Sequence, residues 1–262
     1  MQIYLNEKHV VSRAKWGRRT SLIGLTVLGI GMIASFSPSW IARWMAEGRE
    51  IASSPIIQWV GAGGWLVVSM TCLIAGYLLG QIGNTNLRRY QRSPRPDQVV
   101  AKALKGFDDR NRLYGWVAAS DLVFAGPTGV YALTPCDATG KVSIVDDRVR
   151  RPFSWRRFLA FGQDGSNAPG LEAQQAAKKA SVWLSAQLGS AESVPVNPLV
   201  VFTNDNAQVE VLSASIPVVH HKQLKDFLRG QVRGTNLSKE TLKAVVDRLD
   251  EEAAKRGVAA EN

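Results

Sequence analysis

Two long stretches without a charged residue lie near the start of this chain, and they restrict its fold more than any other feature. The first runs from Thr20 to Ala42, between Arg19 and Arg43. The second has its apolar heart from Ile56 to Gly80, inside the interval from Glu50 to Arg88. About 20 mostly apolar residues suffice for a helix to cross a bilayer. Backbone in lipid must satisfy its own hydrogen bonds, so each stretch is expected to be a transmembrane α-helix. A cleaved signal peptide is the competing reading of the first stretch. The run is long, no small-x-small site follows it, and a second apolar run comes soon after, all of which favour a membrane hairpin.

Charge agrees with that division. The formal net charge of +10 first suggests nucleic acid or an acidic surface as partner. Residues 1–96 hold 11 Lys/Arg against 3 Asp/Glu, a net of +8, whereas residues 97–262 hold 21 against 19, a net of +2. The basicity therefore belongs to the membrane flanks. Lys8, Arg13, Lys15, Arg18 and Arg19 precede the first span, and Arg88, Arg89, Arg92 and Arg95 follow the second. Short positive segments stay in the cytoplasm, so both termini and the soluble part are expected there, in a multi-pass protein of the cell membrane. The flanking arginines are expected to attract anionic lipid. Cys72 falls in a span and Cys136 outside it, so the only two cysteines do not pair, which fits a reducing compartment.

The spans contain no ionisable residue, which argues for an anchor rather than a transport path. Gly24, Gly29 and Gly31 in the first, with Gly61, Gly63, Gly64 and Gly76 in the second, offer a close hairpin contact or a seam for homo-oligomers. Trp16, Trp40, Trp44 and Trp59 suit an interfacial belt. The organisation expected is a basic N-terminus over 1–19, a hairpin over 20–82 (helices about 20–42 and 56–80), a linker over 83–96, an α/β domain over 97–230 and a final helix over 231–262.

Within the domain, Asp97 to Leu104 has helical spacing. Asp121 to Ala125 and Val130 to Leu133 read as strands joined at Gly126-Pro127-Thr128-Gly129, with Pro135 stopping the second and Lys141 to Asp146 completing an antiparallel meander. Leu171 to Gln187 is helical, Pro198 to Phe202 a strand buried on both faces, and Val209 to Leu212 and Pro217 to Val219 are short strands. Gln223 to Arg229 is a short helix. Ser238 caps a last helix ending at Gly257, with Leu242, Val245, Val246 and Leu249 as its apolar stripe.

The order helix, three strands, helix, buried strand is that of restriction-endonuclease-like folds. The stretch Arg95 to Arg229 resembles the nuclease-related domain (NERD) family, in particular its membrane-tethered bacterial members. The likeness is carried by DQVVAKAL at Asp97, SDLVFAGPTGVYAL at Ser120, a Pro-containing helix entry near Pro169 and NPLVVFTNDNAQVEV at Asn197. It implies a mixed sheet flanked by helices and, in active members, a Mg²⁺-dependent phosphodiesterase in which carboxylates hold the metal and a lysine assists the nucleophile. Asp97 matches the acid of the first helix, and Asp121 the strand acid and metal ligand. The family's Glu-x-Lys should follow Tyr131-Ala132-Leu133, where this chain has Thr134-Pro135-Cys136. Threonine is a poor Mg²⁺ ligand and a cysteine sulfur too soft. Asp137 or Lys141 would need a shifted register to substitute. At the later helix, where the family favours Gln, Glu172, Gln174 and Gln175 all qualify.

Each candidate has a plainer explanation. Asp97 suits a helix start, and Asp121 a strand start bonded to backbone. The cluster Arg148, Arg150, Arg151, Trp155, Arg156 and Arg157 can meet phosphates with Trp155 stacking on a base, can meet anionic lipid, or can be a solvated strand edge. His220 and His221 lack acidic or cysteine partners at ligand spacing and read as surface or packing residues. Cys136 has no histidine to activate it. The expectation is therefore a membrane-anchored NERD-like protein with a degenerate nuclease site and no cofactor, binding nucleic acid or protein. The alternatives are a metal-dependent nuclease with a rearranged site that would need Mg²⁺, and a membrane scaffold with protein partners only, engaged through the final helix.

Overall fold

The computed structural model describes residues 1–50, 54–151, 167–189, 194–231 and 238–261. They form two compact units: Val10–Arg92 is one, and Met1–His9 with Ser93–Asn262 is the other. The first holds two antiparallel rods. Helix α1 spans Glu7–Ala46, while α2 (Pro55–Trp59), a π-helical turn (Val60–Gly64) and α3 (Trp65–Tyr90) make the second rod, which kinks at Gly63 where φ is 118°. Both rods are long and apolar enough to cross a membrane, with mean hydropathy 1.7 over their most apolar windows.

Their seam is built from small residues at seven-residue spacing. Gly17, Gly24 and Gly31 on α1 face Gly83, Gly76 and Ser69 on α3. A Cβ at Gly24 would stand 2.8 Å from the Gly80 nitrogen and 2.9 Å from the Gly76 oxygen, so the two backbones touch. Ser35 and Ser69 share a hydroxyl hydrogen bond of 2.8 Å at the same seam. Gly24, Gly31 and Gly76 are thus used within one hairpin, whereas Gly29 has open space before it.

The second unit is a six-stranded mixed sheet in the order β1-β2-β3-β4-β7-β9, with helices on both faces. Its strands are β1 (Gln2–Leu5), β2 (Arg112–Gly115), β3 (Leu122–Gly126), β4 (Gly129–Cys136), β7 (Asn197–Phe202) and β9 (Val218–His220). Alternation along the strands sorts the core into two layers. Leu122, Phe124, Tyr131 and Leu133 meet α4 (Pro96–Leu104) and α6 (His221–Gly230) through Val100, Leu104, Leu224 and Leu228. Val123, Ala125 and Val130 meet α5 (Pro169–Leu188) and α7 (Lys239–Lys255) through Leu184, Val245, Leu249 and Ala253. A second sheet, β6-β5-β8, joins β5 (Gly140–Val145), β6 (Arg148–Arg150) and β8 (Ala207–Val211). It packs its Val142 and Ile144 on Phe202, Cys136 and Ala173.

Several elements differ from the sequence reading. The first residues are not only a basic flank: β1 pairs in parallel with β2, from Gln2↔Arg112 to Leu5↔Gly115, and Tyr4 stacks on Tyr114 at 5.0 Å. The meander is β2-β3-β4, and the stretch expected to complete it, Lys141 to Asp146, leaves as β5 for the second sheet. Strand β4 also passes Pro135. Thr203 N donates to the Cys136 carbonyl, so Cys136 turns its polar groups to β7 and Pro135 turns its missing N–H to the other side, where pairing with β3 ends at Leu133. Helix α3 runs to Tyr90, which shortens the expected linker. The final helix is an integral part of the domain: Val245, Leu249 and Ala253 are fully buried, and Asp250 accepts from the Tyr114 hydroxyl at 2.7 Å and pairs with Arg112. Burial raises the Tyr114 phenol well above its ordinary pKa, so that hydroxyl stays a donor. Ser238 caps α7 as expected, accepting from Thr241 N at 3.1 Å.

Candidate functional site

The two-residue turn Pro127-Thr128 closes the β3–β4 hairpin, with φ of 123° at Gly129, and fixes its register. The ladder runs from Gly126↔Gly129 to Leu122↔Leu133 and stops one residue short of Asp121 and Thr134. Trp116 N donates to the Asp121 carbonyl at 2.7 Å and continues the β2 side of the same ladder. Asp121, Thr134 and Cys136 therefore share the face that carries Val123 and Val130. This is the frame in which a strand acid would confront a Glu-x-Lys pair. The frame holds Thr134, 7% exposed, and Cys136, 3% exposed.

Cys136 sits among Ala138, Val142, Ile144, Ala173 and Phe202. Burial pushes its thiol up to about 11, against the weaker opposing effects of the Ala138 backbone and the nearby Arg151. At neutral pH it is a protonated thiol, a poor nucleophile.

Asp97 lies elsewhere. It is 3% exposed in the first turn of α4, on the face of Leu122 and Phe124. Arg95 Nε donates to Asp97 Oδ1 at 3.2 Å, and Arg95 Nη2 stands 3.2 Å from Oδ2 as an ion pair, while Oδ2 itself accepts no hydrogen bond among the described residues. The same guanidinium donates from Nη1 to Glu7 Oε2 at 2.7 Å. That hydrogen bond lowers the Glu7 carboxyl below its usual range and raises Arg95. The buried carboxylate of Asp97 thus has its counter-charge within the chain. Asp97 and Asp121 are separated by the sheet, and among the described residues no group of three or more His, Cys, Asp or Glu side chains is placed to hold a metal ion. Neither reserve candidate fills the gap: Asp137 accepts from Asn204 Nδ2 at 3.4 Å, and Lys141 belongs to β5, paired with Gln208.

At the start of α5 the three polar candidates separate. All three are exposed, but Gln174 alone is drawn into the second sheet, its Nε2 donating to Ser215 Oγ at 2.8 Å and to Asp147 Oδ2 at 3.5 Å. Asp147, held at φ 62°, also accepts from Ser215 N at 2.9 Å. Gly170 lies against it so closely that a Cβ there would collide with the Asp147 side chain. This Asp147–Gln174–Ser215 network ties the second sheet to α5. Sequence reasoning missed it because its members are 27 and 68 residues from Asp147.

The basic cluster is divided. Arg148 and Arg150 project exposed from the same side of edge strand β6, while Val149 between them packs inward. Arg151 turns in, with its Nε and Nη2 buried. Trp155, Arg156 and Arg157 lie outside the described residues. The histidines are structural. His220 caps α6, its Nδ1 accepting from Lys222 N at 3.3 Å, so its Nε2 carries the proton and donates to the Asn204 carbonyl at 3.1 Å. The His221 ring packs against it, tilted by 36° with centroids 4.4 Å apart, and burial followed by the neighbouring His220 lowers its pKa. His220 borders a groove of about 380 Å³ floored by Ala207, Val209, Val211 and Val218 and edged by Asp205 and Lys222, which pair at 2.8 Å.

The fold and this site together define a mixed α/β domain bracketing two membrane-length apolar helices. In comparison with known proteins, no family model, curated protein or solved structure matches the chain.

Proposed function

We propose that this is a membrane-anchored, cytoplasmic NERD-like module in which a restriction-endonuclease-like scaffold has given up its metal centre and acts by binding rather than by cleavage. One observation carries the reading. The strand face that carries Asp121 holds Thr134 and the buried, protonated thiol of Cys136, and among the described residues no group of three or more His, Cys, Asp or Glu side chains is placed to hold a metal ion. The partner best supported is nucleic acid, met by the exposed Arg148 and Arg150 on the edge of the second sheet. Protein partners through the final helix are supported less, because its apolar stripe is buried in the domain. The bracketing of the hairpin also supports placement. Residues 1–9 and 93–262 make one folded unit, so the chain must return to the side of the membrane it left, which two crossings accomplish and one does not. The basic flanks favour the cytoplasm as that side.

The test is a cleavage and binding assay on the full chain in lipid nanodiscs, because a fragment starting after the hairpin would lack β1. Single- and double-stranded DNA and RNA are offered with Mg²⁺ or Mn²⁺ across a salt series. Salt-sensitive binding without cleavage, weakened in Arg148→Gln/Arg150→Gln, is the expected result. Metal-dependent cleavage abolished by Asp121→Ala would replace this reading with that of a rearranged nuclease. Neither activity would leave the membrane scaffold.

A further inference from the structure

Between Val10 and Arg92 the only acidic residues are Glu47 and Glu50, both at the far turn of the hairpin. The near end carries Arg13, Lys15, Arg18 and Arg19 on α1, Arg88 and Arg89 in the last turn of α3, and Arg92 just past it. The glycine seam sets them at one height. A Cβ on Gly17 would stand 3.2 Å from both the Gly83 oxygen and the Leu87 nitrogen, so the turn before Gly17 runs beside the turn after Leu87. At 1.5 Å per residue the seven cations occupy roughly two to three helical turns of the paired rods. Arg13, Lys15, Arg18, Arg19, Arg89 and Arg92 are exposed. Successive residues step about 100° around a helix, so the cations radiate from the seam on several sides rather than lining one face. Trp16, 48% exposed, stands in the same turn, where a membrane interface favours an amphipathic ring. The uncharged stretch begins at once, at Thr20.

We infer that this collar binds the phosphate groups of anionic phospholipids, holding a ring of them around the neck of the hairpin. The inference rests on the reading of the hairpin as membrane-spanning. A nucleic acid duplex fits less well, because it would approach from one side, whereas the charge surrounds two helices at the height of the headgroups. Phosphates arranged around the neck match that distribution.

The experiment uses the full chain in neutral detergent, given equal amounts of phosphatidylglycerol and phosphatidylcholine, with retained lipid counted by native mass spectrometry. Preferential retention of phosphatidylglycerol is expected, shrinking as salt is added and falling about tenfold in Arg18→Gln/Arg19→Gln/Arg88→Gln. Alkaline extraction of membranes separates the two layers of the argument. If the native chain is extracted, the spanning reading fails. If it stays in the membrane but retains both lipids equally, or shows a preference indifferent to salt, the collar is not a lipid site, whatever the variant does. Displacement of lipid by inorganic phosphate, beyond that by chloride at matched ionic strength, would make the partner a soluble phosphate and overturn the proposal. Displacement by duplex DNA would assign the collar to nucleic acid and overturn it equally.

Discussion

The hairpin and the domain are packed in opposite senses. In the domain the buried positions are large and apolar, among them Phe124, Leu133, Leu199, Phe202 and Leu249. In the hairpin the buried positions are mostly small, among them Gly17, Thr20, Gly24, Gly31, Ser69, Gly76 and Gly83, while Leu22, Leu25, Ile33, Phe36 and Ile74 are more than half exposed. Water drives large apolar side chains inward. Lipid offers no such drive, so its helices associate by backbone contact across small residues. The same chain thus shows both solutions, and the contrast is itself an argument that the two units meet different solvents.

Four substitutions or titrations test that contrast. Phe124→Ala should destabilise the domain by about 3–5 kcal/mol in denaturant unfolding of the reconstituted protein. Leu25→Ala, at a site 66% exposed, should leave the hairpin unchanged; a comparable loss there would mean that Leu25 faces protein. The second test is alkaline. Burial raises the Cys136 thiol from 9.0 to about 11 in the folded state, so the stabilisation from keeping it protonated is complete below the unfolded value and is lost as pH rises through the folded one. That displacement corresponds to roughly 2–3 kcal/mol, and Cys136→Ala should remove this part of the pH dependence in unfolding curves recorded across the window. Third, Gly24→Leu forces a side chain against backbone at the seam, at a cost of about 1–3 kcal/mol. A Ser35→Cys/Ser69→Cys pair, which should cross-link readily in the native hairpin, then reports a loss of cross-linking in that background. Undiminished cross-linking would show that the seam tolerates bulk and that its glycines are incidental. The smallest effect is Ser238→Ala, about 1 kcal/mol from the lost cap of α7, read as a lowered thermal midpoint of the domain alone.

What the sequence made legible were the elements governed by local rules. Helix α4, the Gly-Pro-Thr-Gly hairpin, α5, β7 and the capped α7 follow from periodicity, turn chemistry and caps within a few residues of themselves. The local frame of the candidate site was legible for the same reason: a two-residue turn fixes the register, so the ladder from Gly126↔Gly129 to Leu122↔Leu133 follows by counting. The misses share a different cause. Strands β1 and β2 are four residues each, and their pairing joins positions 110 residues apart. No local pattern distinguishes Gln2-Ile3-Tyr4-Leu5 from an extended flank. The departure of β5 to a second sheet is likewise a choice of partner, decided by β8 far along the chain. The fate of Asp97 depended on Arg95 reaching back to Glu7, a contact across 88 residues.

The distance between β1 and β2 also sets an order of events during synthesis. Strand β1 leaves the ribosome first, yet its partner follows only after both apolar helices have been made. At ordinary elongation rates that wait is roughly 5–20 s. The sheet therefore cannot close until the hairpin has emerged, and every finished domain records that its two apolar helices were made before its second strand. A chain whose hairpin goes astray carries its first strand away with it and leaves β2 as a bare edge for quality control to find.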